Sequence, residues 1–118
     1  MIKICFVCHG NICRSPMAEF IMKEKVKQLN LEDKFSITSR ATSSEELGND
    51  IHPGTKKKLD ENNIPYTRHY ATKLQVDDYN NYDYFICMDD NNIRNISYIK
   101  FDSHKKMPLL FSNDSDEQ

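Results

Sequence analysis

The sequence predicts an α/β fold, a small open parallel four-stranded sheet with helices on both faces. Three observations carry that prediction. Short apolar or alternating runs recur at residues 2–7, 35–39, 84–88 and 107–111. Longer segments with helical spacing or helix-terminus signals lie between them, and breakers such as Gly48 and Pro65 separate the two kinds. Strands joined through helices require right-handed crossovers, which make neighbouring strands parallel.

Each element has its own reason. Residues 2–7 are a short apolar run and read as a buried strand. Residues 15–29 read as a helix: Pro16 suits the first turn, where its missing N–H costs nothing, and Met17, Phe20, Ile21 and Val26 form a partial apolar stripe. Residues 35–39 alternate, with Phe35 and Ile37 apolar, and give a second strand. Residues 42–49 are a polar loop broken by Gly48. Residues 54–63 read as a helix with Leu59 on its inner face and Pro65 past its end. A short extended piece at 66–71 and a short helix at 76–81 follow. A third strand is expected at 84–88, a helix at 90–99 and a fourth short strand at 107–111. Residues 112–118 form a polar, mobile tail.

Composition narrows the function. A chain of 118 residues makes one domain with a real core. A net charge of −2 gives no reason to expect nucleic acid or an anionic membrane as partner. No stretch is long and apolar enough to span a bilayer, and no signal peptide is visible. The four cysteines fit a cytosolic thiol enzyme better than a disulfide framework, so a cytoplasmic location is expected. Cys5 and Cys8 form a C-x-x-C pair near Cys13. No second such pair appears, and Cys5 lies in a strand while Cys8 opens a loop, which disfavours zinc. A thioredoxin-like pair normally opens a helix directly, and this one does not. Neither metal nor cofactor is expected.

Cys8-His9-Gly10-Asn11-Ile12-Cys13-Arg14-Ser15 carries the chemistry. A cysteine, five residues, then arginine and serine can hold a tetrahedral oxyanion over a thiolate. A free thiol has a pKa of about 8.5 and is a poor nucleophile until deprotonated. A helix N-terminus, inward N–H groups and a guanidinium lower that value and also bind a phosphate dianion. Gly10 lets backbone approach the anion. Asn11 tolerates a left-handed conformation. Arg14 offers a planar fork for two phosphoryl oxygens. Ser15 sits where its hydroxyl could bond the sulfur. The strand before the motif and the Ser-Pro after it argue against a chance match.

Residues 6–19, Phe-Val-Cys-His-Gly-Asn-Ile-Cys-Arg-Ser-Pro-Met-Ala-Glu, resemble the N-terminal signature of the low-molecular-weight protein tyrosine phosphatases. Ser39-Arg40-Ala41-Thr42-Ser43 resembles that family's second strand and following loop. Residues 83–89 resemble its third strand, with Asn91-Asn92-Ile93 opening a helix. The resemblance covers almost the whole chain. It implies a Rossmann-like fold of the phosphotyrosine phosphatase I type, with the anion site beyond the carboxyl end of the first strand. It implies Cys8 as nucleophile, His9, Gly10, Asn11, Ile12, Cys13, Arg14 and Ser15 as the phosphate loop, and Ser15 as helper of the thiolate. By position, Asn11 would brace the loop through a network including Ser39 and His69. Cys13 stands where oxidised Cys8 could form a protective disulfide, and Cys87 reads as core. Partners would be phosphotyrosine proteins, small aryl phosphates and inorganic phosphate or a similar oxyanion.

Two departures stand out. Counting from Ser39, the family's aromatic pocket wall falls on Glu45, which cannot stack on a phenyl ring and would repel phosphate. The family's general acid is an aspartate in an Asp-Pro-aromatic loop before a last helix, and these 118 residues contain no Asp-Pro. The tail carboxylates Asp114, Asp116 and Glu117 are poor substitutes. The domain is therefore expected to lack the acid loop and last helix, to turn over slowly, and to expose apolar surface that invites self-association. The leading reading is a phosphatase acting on phosphotyrosine and aryl phosphates. A protein-arginine phosphatase is a second reading, in a branch that tends to carry threonine where Ile12 stands. An arsenate reductase would need a further cysteine pair. A non-catalytic phosphate-binding module is the remaining alternative.

Overall fold

The computed structural model describes residues 1–97 and the short strand Leu109–Leu110. Strand β1 (Ile2–Cys8) leads to helix α1 (Arg14–Gln28), a 3-10 turn (Glu32–Lys34) and strand β2 (Phe35–Ala41). Helix α2 (Pro53–Glu61), a second 3-10 turn (Val76–Asn80), strand β3 (Tyr84–Cys87), helix α3 (Asp90–Ser97) and strand β4 (Leu109–Leu110) follow. The sheet order is β2-β1-β3-β4 and every pairing is parallel.

β1 is buried from Ile4 to Cys8 because it is central and covered on both faces. Its side chains alternate between two cores. Ile4 and Phe6 pack with Ile37 and with Val26 of α1. Cys5 and Val7 pack with Leu74, Tyr79, Tyr82, Phe85, Cys87 and Ile96 on the other side. α1 carries a second contact line, where Phe20 meets Ile51 and Leu59 of the α2 layer, with Met17 and Ile21 partly buried there. Burying such a side chain contributes roughly 1.5–3 kcal/mol, so the stripe read from sequence is what seats α1 on the sheet.

The sequence order reverses between β1 and β3, since the chain runs first to β2 on one side and later to β3 on the other. Open parallel sheets bind ligands beyond the carboxyl ends of their strands at such a switch point. Cys8 is the last residue of β1, so the loop beginning there opens at that position.

One expectation is corrected and one element is added. Residues 66–71 take neither helix nor strand, and just beyond them Lys73 bridges to Ala41 of β2. The donors of this stretch go elsewhere: the His69 N–H to Asp50, the Ala71 N–H to Asn49 O and the Thr72 N–H to Asn11 Oδ1. The helix expected at 76–81 is a 3-10 turn, closed by a reciprocal cap in which Asp78 accepts from the Gln75 N–H at 2.8 Å. A 3-10 turn at Glu32–Lys34 was not foreseen. Residues 98–99 of the expected helix, 107–108 and 111 of the expected fourth strand, and the tail lie outside the described residues. So does the apolar surface expected near the C-terminal end.

Candidate active site

Residues 8–15 wrap back over the end of β1 because their carbonyls are bonded outward. Cys8 O accepts from the Thr42 N–H at 3.0 Å, and His9 O from the Ser43 N–H at 3.1 Å. Ile12 O accepts from the His52 N–H at 2.8 Å. With the carbonyls held outward, N–H groups turn inward to the sulfur. Asn11 N lies 3.3 Å and Ser15 N 3.4 Å from Cys8 Sγ. Ser15 Oγ lies 2.9 Å from it. Negative charge on this sulfur would be met by three donors and by the N-terminus of α1.

Asn11 is the keystone of the loop. Its φ of 61° is left-handed, a conformation an asparagine tolerates better than most residues. Its side chain is fully buried and fully bonded. Oδ1 accepts from the Thr72 N–H at 3.0 Å, while Nδ2 donates to Ser15 Oγ at 2.8 Å and to Ser39 Oγ at 2.9 Å. The backbone N–H of Thr72 can only donate, which fixes the amide orientation.

His69 is also buried, with Nε2 2.7 Å from Asn11 O. A carbonyl only accepts, so Nε2 carries the hydrogen. The bracing network expected of Asn11, Ser39 and His69 is thus brought together. Its outer support is Asp50, which accepts from the His69 and Ile51 N–H groups and pairs with Lys56 and Arg68. The Lys56 hydrogen bond first, then the His69 N–H, hold the Asp50 carboxyl well below the usual carboxylate range.

A pocket of about 310 Å³ opens over the sulfur, walled by His9, Gly10, Ile12, Cys13 and Arg14 with Glu45 and Glu46 beside them. Gly10 is not in the left-handed region, and an added Cβ would lie 3.3 Å from Glu46 Cγ, so that side chain would have to shift slightly. Glu45 pairs with His9 Nε2 at 3.0 Å, both side chains being exposed. The wall position expected for a stacking ring therefore carries an imidazole–carboxylate pair. Cys13 is half-buried and free. Cys5 and Cys87 are buried and face the core; burial pushes the Cys87 thiol up to about 12 and the Cys5 thiol higher still. A larger groove, about 410 Å³, runs between α1 and residues 65–67, away from the sulfur.

Sequence reasoning missed four residues. Arg14 Nη2 donates to Asp89 Oδ2 at 2.9 Å, and Asp89 Oδ1 accepts from the Asn92 N–H at 2.9 Å. Desolvation would raise the Asp89 carboxyl, but the Asn92 N–H and the Arg14 guanidinium outweigh it and hold it below its ordinary value. The available signal was an Asp-x-x-Asn at the start of a helix. Glu19, Asp50 and Thr72 gave no sequence signal, since their partners are distant along the chain.

The chain matches the family model described as low molecular weight phosphotyrosine protein phosphatase over residues 3–118. It is 41% identical over 111 residues to the low molecular weight phosphotyrosine protein phosphatase of Schizosaccharomyces pombe, covering 93% of this chain and 70% of that protein. It is 42% identical over 99 residues to the low molecular weight protein-tyrosine-phosphatase PtpA of Staphylococcus aureus, covering 84% of this chain and 62% of that one. A crystal structure of a low molecular weight protein tyrosine phosphatase from Streptococcus pyogenes superposes with a TM-score of 0.83 at 44% identity. That match covers 97% of this chain and 74% of the other.

Proposed function

The chain belongs to the low molecular weight phosphotyrosine protein phosphatase family, and from that premise we propose that it hydrolyses protein phosphotyrosine and small aryl phosphates through a phosphocysteine formed on Cys8. The observation that carries the reading is convergence on one sulfur: Ser15 Oγ and the N–H groups of Asn11 and Ser15 all aim at Cys8 Sγ. In the first step the Cys8 thiolate attacks phosphorus, an S–P bond forms, the P–O bond to the aryl group breaks and the phenolate leaves. In the second, water attacks phosphorus, the S–P bond breaks and inorganic phosphate leaves. Arg14 would hold two phosphoryl oxygens in its fork, inward N–H groups of residues 9–15 the others, and the Ser15 hydroxyl the sulfur as it leaves.

The departing phenolate needs a proton, and these 118 residues offer no Asp-Pro aspartate to give it. The chain spans 62–70% of the length of the curated relatives compared above. The reading places the chain in the cytoplasm, supported by its four free thiols. Among the described residues no helix is long and apolar enough to cross a membrane.

The deciding experiment is Cys8→Ser assayed on para-nitrophenyl phosphate, with acid quench to trap labelled phosphocysteine. Loss of both turnover and label supports the mechanism; unchanged turnover sinks it. A second reading, hydrolysis of phosphoarginine, is favoured by the carboxylates Glu45 and Glu46 at the pocket mouth, which suit a guanidinium. Direct competition between phosphoarginine and phosphotyrosine peptides separates the two.

A further inference from the structure

Glu19 lies in α1, outside the pocket, yet it ends the same run of hydrogen bonds as Cys8. It is buried, and a buried carboxylate needs donors. Ser39 Oγ donates to Oε1 at 2.5 Å and Lys23 Nζ to Oε2 at 2.6 Å. Lys23, one turn further along the helix, is itself steadied over the Phe20 ring, 5.3 Å from its centroid.

Counting hydrogens assigns a direction to the whole run. A carboxylate only accepts, so the single Ser39 hydroxyl hydrogen goes to Glu19. Ser39 Oγ must then accept from Asn11 Nδ2. Because Asn11 Oδ1 is filled by the Thr72 N–H, the second Nδ2 hydrogen goes to Ser15 Oγ. Ser15 accepts there and keeps its own hydrogen for Cys8 Sγ.

We propose that Glu19, held by Lys23, is a positioning residue for the reactive sulfur: by taking the Ser39 hydrogen it keeps the Ser39 oxygen facing the Asn11 amide, and so steadies the amide that confines the Ser15 hydroxyl beside Cys8. The proposal rests on the reading of Cys8 as nucleophile. Without an acceptor at position 19, the Ser39 hydroxyl rotates toward another partner and its lone pair leaves the Asn11 amide. The amide then loosens, and Ser15 loses the contact that confines it to one rotamer.

Alkylation of Cys8 by iodoacetamide as a function of pH, resolved from Cys13 by peptide fragmentation, reads the thiolate without substrate or turnover. In Glu19→Met, which keeps the bulk and removes the acceptors, alkylation near pH 6 should fall about fivefold, the equivalent of one neutral hydrogen bond of about 1 kcal/mol. Glu19→Gln retains an oxygen for Ser39 and should restore the original pH profile. Ser39→Ala should show the same loss, and the double variant no more than either alone, since both break one link. If Glu19→Met does not fold, Lys23→Met removes the ammonium that holds Glu19 and should shift the profile in the same direction. An unchanged profile in the folded variant, or additive losses in the double, overturns the proposal. A Cys8 that stays unreactive below about pH 8.5 in the unaltered chain would sink the nucleophile reading instead.

Discussion

Arg14 and Asp89 form an ion pair at 2.9 Å across 75 positions of sequence, joining the end of the loop over the Cys8 sulfur to the residue before α3. Both side chains are partly exposed, so the pair contributes little to stability. Its effect is geometric. Asp89 is fixed by the Asn92 N–H, so the guanidinium it holds is aimed by a folded element rather than by the loop alone.

Arg14→Lys keeps the charge and loses the fork. It should lower kcat/KM by about 10²–10³, the range for removing one transition-state donor set. Asp89→Asn should cost less, about tenfold, and should appear mainly as weaker inhibition by inorganic phosphate. Steady-state kinetics with phosphate as competitor would separate the two; equal losses would refute the positioning role of Asp89.

Asn11→Ala removes three side-chain hydrogen bonds and places alanine at a φ of 61°. The left-handed conformation alone costs roughly 1–2 kcal/mol, and each unsatisfied buried partner adds about 1–3 kcal/mol. A loss of about 3 kcal/mol or more in urea unfolding is expected, with Cys8 alkylation displaced to higher pH. A loss under about 0.5 kcal/mol, typical of an indifferent surface site, would show that the loop does not depend on Asn11.

A protein made of these 118 residues alone, which hold no Asp-Pro aspartate, reports the need for a proton through its leaving group. For these 118 residues, turnover should fall steeply from para-nitrophenyl phosphate to phenyl phosphate and phosphotyrosine, by about 10²–10⁴. A series of substituted aryl phosphates measures the slope. A flat dependence would mean that some group within the chain delivers the proton.

Asp50 ties His69 to α2, and its folded carboxyl lies well below its ordinary value of 3.8. A depressed carboxylate contributes stability that is present above the unfolded value and lost as the pH falls through the folded one. The stability difference between the chain and Asp50→Asn should therefore be full at pH 7 and shrink below about pH 4. Thermal melts of both proteins at pH 7, 5 and 3 test this; a difference that grows on acidification would reverse the sign and refute the assignment.

Much of the site was legible because it is local. Cys8, Asn11, Arg14 and Ser15 fall within eight consecutive positions, and Pro16 marks the helix that follows. The bracing of Asn11 by Ser39 and His69 could be expected only through resemblance, since spacing says nothing about contacts 28 and 58 residues apart. Residues 66–71, short and unpatterned, read as extended chain, but their partners were not legible. Their structure is set by donors that Asn49, Asp50 and Asn11 accept.

The sequence by itself determined the alternation of strands and helices and the loop that presents a thiol among N–H donors. Those are properties of neighbouring residues, governed by periodicity and backbone preference. Only the tertiary structure decided which hydroxyl meets the sulfur, that Asp89 pairs with Arg14, and that Glu45 meets His9 at the pocket mouth. Hydrogen-bond direction depends on every partner in a buried run, and those partners come from β1, α1, β2 and the segment around Thr72. No single stretch of chain holds enough of them to fix it.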